Sequence, residues 1–427
     1  MRPTRPSFTL LAFASAALAV AAAYEGPRTF KASEVLKPAQ VKGPHFQVAK
    51  AVPTEGYFYL FSIKTDYGPM EAEGTSLLLT RLNEVRALAQ LDEVSKSEVF
   101  LKAAGTSVVN VGKGVESVVT HPEDTIKGIG GAFKRFGTNL GRKTKRTAEE
   151  VTDKDKENKG EQQSTGEKAE GVAGSILGVT AGSRRWAQKV GVDPYTTNPV
   201  LKKALGDIGT VDAAGGIAAK VAVPIPMVVS TTATVGNLVW GKDPEELLKL
   251  NEQRLKELGA TDKIIKELYL SKGFTLSLET RMISALYAVK AKGSGAYADT
   301  ATDAGIVREA VFFAESAEML QRFHAKSPVV ELLPDSRALV AKTEDGRAVA
   351  LLPIDSIRWT PEFEKAATNV QARASKELGA TKLEVRLSGT ASTTAKKELA
   401  ARGIAVVENE LLTFEVATSP AGAAPKK

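Results

Sequence analysis

Residues 147–172, TAEEVTDKDKENKGEQQSTGEKAEGV, set the first limit on what this chain can fold into. Their apolar side chains other than glycine are Ala148, Val151, Ala169 and Val172. Such a stretch cannot bury enough apolar surface to offset its ordering entropy, so it reads as a flexible charged linker. Its DKDKENKGE run resembles the start of a calcium loop, but Asn158 stands where that loop needs glycine and Ser164 where it needs glutamate. The chain is therefore divided, and its cores must form on either side of this tract.

Before the linker, residues 24–104 read as an α+β domain. HFQVAKAV and GYFYLFSIKTD have strand composition, punctuated by Pro53, Gly56 and Gly68. Leu78, Leu82, Val85, Leu88 and Leu91 then step by three and four, the spacing of one buried helix face. After the linker, residues 173–325 form a helical domain with its own punctuation. Asn198 and Asp243 stand as N-caps, Pro199 and Pro244 follow them in the first turn, and Gly259 stops a helix. Residues 326–418 form a C-terminal α/β domain. A meander turns at Asp345-Gly346, and a strand, a helix capped by Ser392 or Thr393, and a second strand follow. Residues 419–427 read as a disordered tail. The fold class expected is a multi-domain α+β protein, with a mostly helical middle domain and smaller α/β portions at the N- and C-terminal ends.

The first residues state a destination. Arg2 and Arg5 precede an apolar run from residue 8 to residue 20, and Ala21-Ala22-Ala23 supplies the small residues that a signal peptidase reads. Residues 1–23 are expected to be a signal peptide, cut before Tyr24, which makes the protein periplasmic or extracellular. The apolar run is short for a membrane span of about 20 residues. The chain has no cysteine, which excludes disulfides, thiolate metal sites and a cysteine nucleophile. Residues 221–240 are uncharged and near spanning length, but Pro224, Pro226, Gly236 and Asn237 favour a buried loop and helix.

Residues 105–146 are the segment most suited to touching something else. Ile126, Ile129, Phe133, Phe136 and Leu140 form a strict heptad seam, with Thr120 and Glu123 as a capping box ahead of it. The segment carries eight glycines, each unfavourable in a helix interior by about 1 kcal/mol. It also carries eight Lys or Arg against three acids, a net +5, while the whole chain is +7 and loses Arg2 and Arg5 with the signal. Lys127, Lys134, Arg135, Arg142 and Lys145 belong to its basic set. A basic amphipathic helix of poor intrinsic stability points to an anionic membrane surface, or to a protein partner, as the contact that holds it in shape. Docking on the protein's own core is the bland alternative. Nucleic acid is not expected, because the two phenylalanines lie on the seam instead of alternating with bases.

Chemistry is sparse. His45, His121 and His324 have no metal-ligand spacing and no G-x-S-x-G elbow accompanies them. No catalytic residue, cofactor site or metal site is assigned. Ser388, Gly389, Thr390 and Ser392 form a strand–turn–helix junction that is a weak candidate for an anion on free helix N–H groups, with capping as the plainer explanation. The sequence thus favours a non-enzymatic exported envelope protein. A secreted membrane-active effector or toxin, and a hydrolase of unknown substrate, are the alternatives.

Overall fold

The computed structural model describes residues 24–97, 100, 171–215 and 233–410. The architecture is α+β: a helical middle region lies between sheet-containing N- and C-terminal parts.

The N-terminal part is an antiparallel sheet of β1 (Thr29–Lys31), β2 (Lys42–Gly43), β3 (Phe46–Val48), β4 (Ala51–Glu55), β5 (Phe58–Thr65) and β6 (Met70–Glu73), with short helices α1 (Ala32–Val35) beside β1 and α2 (Pro38–Val41) beside β2. The order is β1-β4-β5-β3-β2, and β6 also pairs with β5. On β5, Tyr59, Phe61 and Ile63 are buried while Ser62 and Lys64 are exposed, the alternation of a half-buried strand. Helix α3 (Thr75–Lys96) serves two cores. Leu78 and Leu82 pack with Tyr59, Phe61 and Ile63. Farther along, Leu88, Leu91 and Val94 pack with Trp186, Leu201 and Leu205 of the helical region. The five-residue apolar stripe read from the sequence is buried throughout.

The helical region comprises α4 (Gly171–Ile176), α5 (Ala181–Val190), α6 (Pro199–Gly215), α7 (Ala233–Gly241), α8 (Pro244–Glu257), α9 (Asp262–Tyr269), α10 (Leu276–Val289), α11 (Ser294–Ala301) and α12 (Val307–His324). Gly171 and Val172, read with the linker, begin α4, and Val172 is buried in the main core. The caps act as expected: Asn198 Oδ1 accepts from the Val200 and Leu201 amides, and Asp243 Oδ1 from the Glu246 amide. Helices α5 and α6 meet where Gly182 faces Gly209; a β-carbon on Gly182 would lie 2.4 Å from the Gly209 carbonyl oxygen. Among the described residues no helix is long and apolar enough to cross a membrane.

The C-terminal part contains β7 (Val329–Leu332), β8 (Leu339–Thr343), β9 (Ala348–Leu352), β10 (Ser356–Ile357), α13 (Pro361–Leu378), β11 (Leu383–Leu387), β12 (Thr390–Ala391), α14 (Thr393–Ala401) and β13 (Ile404–Val407). Its five-stranded sheet runs β13-β11-β9-β8-β7. The meander β7-β8-β9 is antiparallel, with Gly346 at φ +84° in the turn, and β9, β11 and β13 are parallel. β10 and β12 make a separate parallel pair. At residue 325 the chain passes from helix to strand while the apolar core runs on, since one cluster holds Val172, Phe313 and Ile404 together. The two large sheets are separate, and Asp355 ties them. Its Oδ2 accepts from the Tyr59 amide at 2.8 Å and its Oδ1 from the Thr75 amide at 3.0 Å.

Candidate functional site

The seam Ile126, Ile129, Phe133, Phe136 and Leu140 and the cations Lys127, Lys134, Arg135, Arg142 and Lys145 lie outside the described residues. The junction at Ser388, Gly389, Thr390 and Ser392 is described, and its donors are engaged within the chain. The Gly389 amide donates to the Ile354 carbonyl and the Thr390 amide to the Asp355 carbonyl. Ser392 caps α14, its Oγ accepting from the Ala395 amide at 3.0 Å. Glycine is required at 389 because a β-carbon there would lie 1.9 Å from the Asp355 carbonyl oxygen.

A cleft under α13 offers space that the junction does not. The face that α13 turns toward the sheet is Phe363, Ala366, Ala367 and Val370, spaced by three, one and three residues as an amphipathic helix requires. The opposing floor is Ala350 and Leu352 on β9 with Leu383 and Val385 on β11, where Val385 is in register with Ala350. The small side chains of Ala350, Ala366 and Ala367 leave space between helix and sheet unfilled, a cleft of about 190 Å³. Tyr57 and Phe312 also line it, and Asp335, Arg337, Glu362 and Arg373 supply its charge. An apolar cavity of about 150 Å³ suffices to bind benzene.

The charged groups of the cleft are held in place. Arg373 makes a two-pronged pair with Glu377 at 2.7 and 3.0 Å, and its Nη2 and Nη1 donate to the carbonyls of Pro334 and Asp335 at 2.7 and 3.2 Å. This ties the 334–335 turn to α13. Arg337 pairs with Glu309 at 3.2 Å. Burial pushes the Tyr57 phenol up to about 12, with the Glu362 carboxylate adding to the effect, so Tyr57 stays neutral at physiological pH.

A second grouping is polar and sealed. Fourteen of the eighteen residues of α12 are buried, so this helix is central and its Arg308, Glu309, Glu315 and Glu318 are interior. Glu318 receives both prongs of Arg281 at 2.8 and 2.9 Å. Ser76 Oγ, in the first turn of α3, donates to Glu315 Oε1. Burial pushes Glu315 up to about 7, against the opposing charge of Arg281, the Ser76 hydroxyl and Arg308. Arg308 lies with its guanidinium carbon 3.3 Å from the centroid of the Phe58 ring. Among the described residues its Nε and Nη2 have no hydrogen-bond partner.

A serine, a carboxyl titrating near neutrality and an arginine are groups that acyl transfer can use. The space they line is about 10 Å³, room for about one water molecule and not for a substrate. The histidines are elsewhere. His45 pairs on the surface with Asp66 at 2.8 Å. His324 Nδ1 accepts from the Val329 amide at 3.0 Å. Among the described residues no group of three or more His, Asp or Glu could hold a metal ion.

No local signal in the sequence marks the cleft. Its residues come from separate segments, and each wall reads as ordinary core when met alone. The 363–366–367–370 face of α13 was the available clue, since its central pair is small where a packed helix would carry leucine. No protein-family model, curated protein or solved structure matches this chain.

Proposed function

We propose that this is an exported, non-enzymatic envelope protein with two binding devices. One is the cleft under α13, which takes a small apolar molecule. The other is the basic amphipathic segment at residues 105–146, which engages an anionic membrane surface. The cleft carries the first part: about 190 Å³ bounded by Ala350, Leu352, Ala366, Ala367 and Val370 is a volume suited to a ligand. The non-enzymatic part is supported by the confinement of Ser76, Glu315 and Arg308 around a space of about 10 Å³. The second device rests on the Ile126–Phe133–Leu140 seam and on a segment charge equal to that of the whole chain without its signal.

The test of the cleft is thermal unfolding of the mature protein with and without 2-phenylethanol, beside the variant Ala367→Leu. A leucine at 367 adds apolar surface inside the cleft and occupies part of the space the alcohol needs. The variant should melt higher than wild type and respond less to the alcohol. No response in wild type, or an equal response in both, rejects the cleft as a ligand site. For the second device, mature protein should co-sediment with phosphatidylserine vesicles at low salt and leave their contents sealed. Dye release would favour a membrane-breaching effector.

A further inference from the structure

We propose that the ligand of the cleft is a cationic amphiphile: an apolar body slightly larger than a benzene ring, carrying a protonated amine that Glu362 receives. This rests on the reading of the cleft as an apolar ligand site and adds the chemistry of the head group.

The charges at the cleft decide the sign. Two cations line it, and each faces a carboxylate. Arg337 faces Glu309 at 3.2 Å. Arg373 uses Nε and Nη2 on Glu377 and both terminal nitrogens on the carbonyls of Pro334 and Asp335. Each arginine is thus matched by a carboxylate, and Glu362 adds one negative charge that no arginine of the lining answers. Glu362 is exposed in the first turn of α13, and among the described residues its side chain makes no ion pair or hydrogen bond. Its place in a first helical turn suits the helix dipole.

Glu362 also sits beside the aromatic wall. Its carboxylate acts on the Tyr57 phenol, and the Tyr57 ring stands edge-on to Phe363 with centroids 6.1 Å apart. An ammonium held here meets a carboxylate and two ring systems at once, while the apolar body reaches over Ala366 and Ala367 toward Val385. A carboxylate ligand meets Glu362 with like charge and finds Arg373 already satisfied.

Calorimetric titration of the mature protein at pH 7 with 2-phenylethylamine, 2-phenylethanol and 3-phenylpropionate tests this, with Glu362→Gln as the variant. An exposed ion pair and a cation–π contact of about 1 kcal/mol each predict an amine tighter than the alcohol by roughly tenfold or more, with the carboxylate weakest. In Glu362→Gln the amine advantage should shrink to the few-fold that the rings alone supply, and alcohol binding should persist. Equal binding of amine and alcohol in wild type overturns the cationic assignment and leaves the apolar site standing. So does carboxylate binding tighter than amine, or an amine preference undiminished in Glu362→Gln. If none of the three binds, the apolar site itself is rejected together with the assignment built on it.

Discussion

Glu279 should make the protein less stable as pH rises through neutrality. Its carboxyl is buried on α10, and burial pushes it up to about 8, opposed only by a hydrogen bond from Asn251. Among the described residues its Oε2 has no hydrogen-bond partner. In the unfolded chain a glutamate titrates near 4.5. Between pH 4.5 and 8 the folded protein therefore keeps a proton that the unfolded chain has released. The contribution is fully present below 4.5, declines with rising pH and levels off above 8. A shift of about 3.5 pH units at about 1.4 kcal/mol each is a loss of about 5 kcal/mol. Glu279→Gln keeps the shape and removes the titration. Urea denaturation at pH 4.5 should give variant and wild type nearly equal stability, and at pH 8.5 the variant should be ahead by about 5 kcal/mol, or about 10 °C in a melt. Glu315, pushed up to about 7, gives both proteins a further decline between pH 4.5 and 7, so the difference between the two curves isolates Glu279. A difference that stays constant across this pH range, or a variant weaker at pH 8.5, would refute the idea that a neutral acid is held in the core.

Other perturbations follow from the same packing. Glu318→Ala leaves the buried Arg281 without its two-pronged partner and should cost about 3–5 kcal/mol, whereas the double replacement Arg281→Met with Glu318→Leu should recover most of that in chemical denaturation. Gly389→Ala places a methyl 1.9 Å from the Asp355 carbonyl oxygen, so it should separate β10 from β12 and destabilise by more than 2 kcal/mol, read as a lowered urea midpoint. If export removes residues 1–23, intact-mass analysis of secreted protein should place the first residue at Tyr24. Glu25→Ala should then lower the melting temperature, because the Glu25 carboxylate accepts from the Trp359 amide at 2.7 Å and the Ser392 hydroxyl at 2.5 Å.

Much of the local architecture was legible because it is written in short-range signals. The stripe on α3, the caps at Asn198, Asp243 and Ser392, and the hairpin at Gly346 each depend on residues within a turn or two. The charges of α12 were not legible in that way. Arg308, Glu309, Glu315 and Glu318 look like the wet side of an amphipathic helix, and only their distant partners on α3, α10 and the 337 turn reveal that they are interior. The cleft is illegible for a related reason. Sequence periodicity tells which face of α13 is apolar, but the distance kept between that face and β9 depends on three alanines meeting across a gap in the fold.

Glu25 has one further consequence, concerning the order of events in time. Its hydrogen-bond partners Trp359 and Ser392 lie 334 and 367 residues farther along the chain. The ribosome delivers the chain from its beginning, so this segment emerges early and then waits while almost everything else arrives. Contacts of such sequence separation are entropically late to form. The residues around Glu25 thus act as a clasp that shuts last, and a chain interrupted before residue 359 has nothing for that clasp to fasten to.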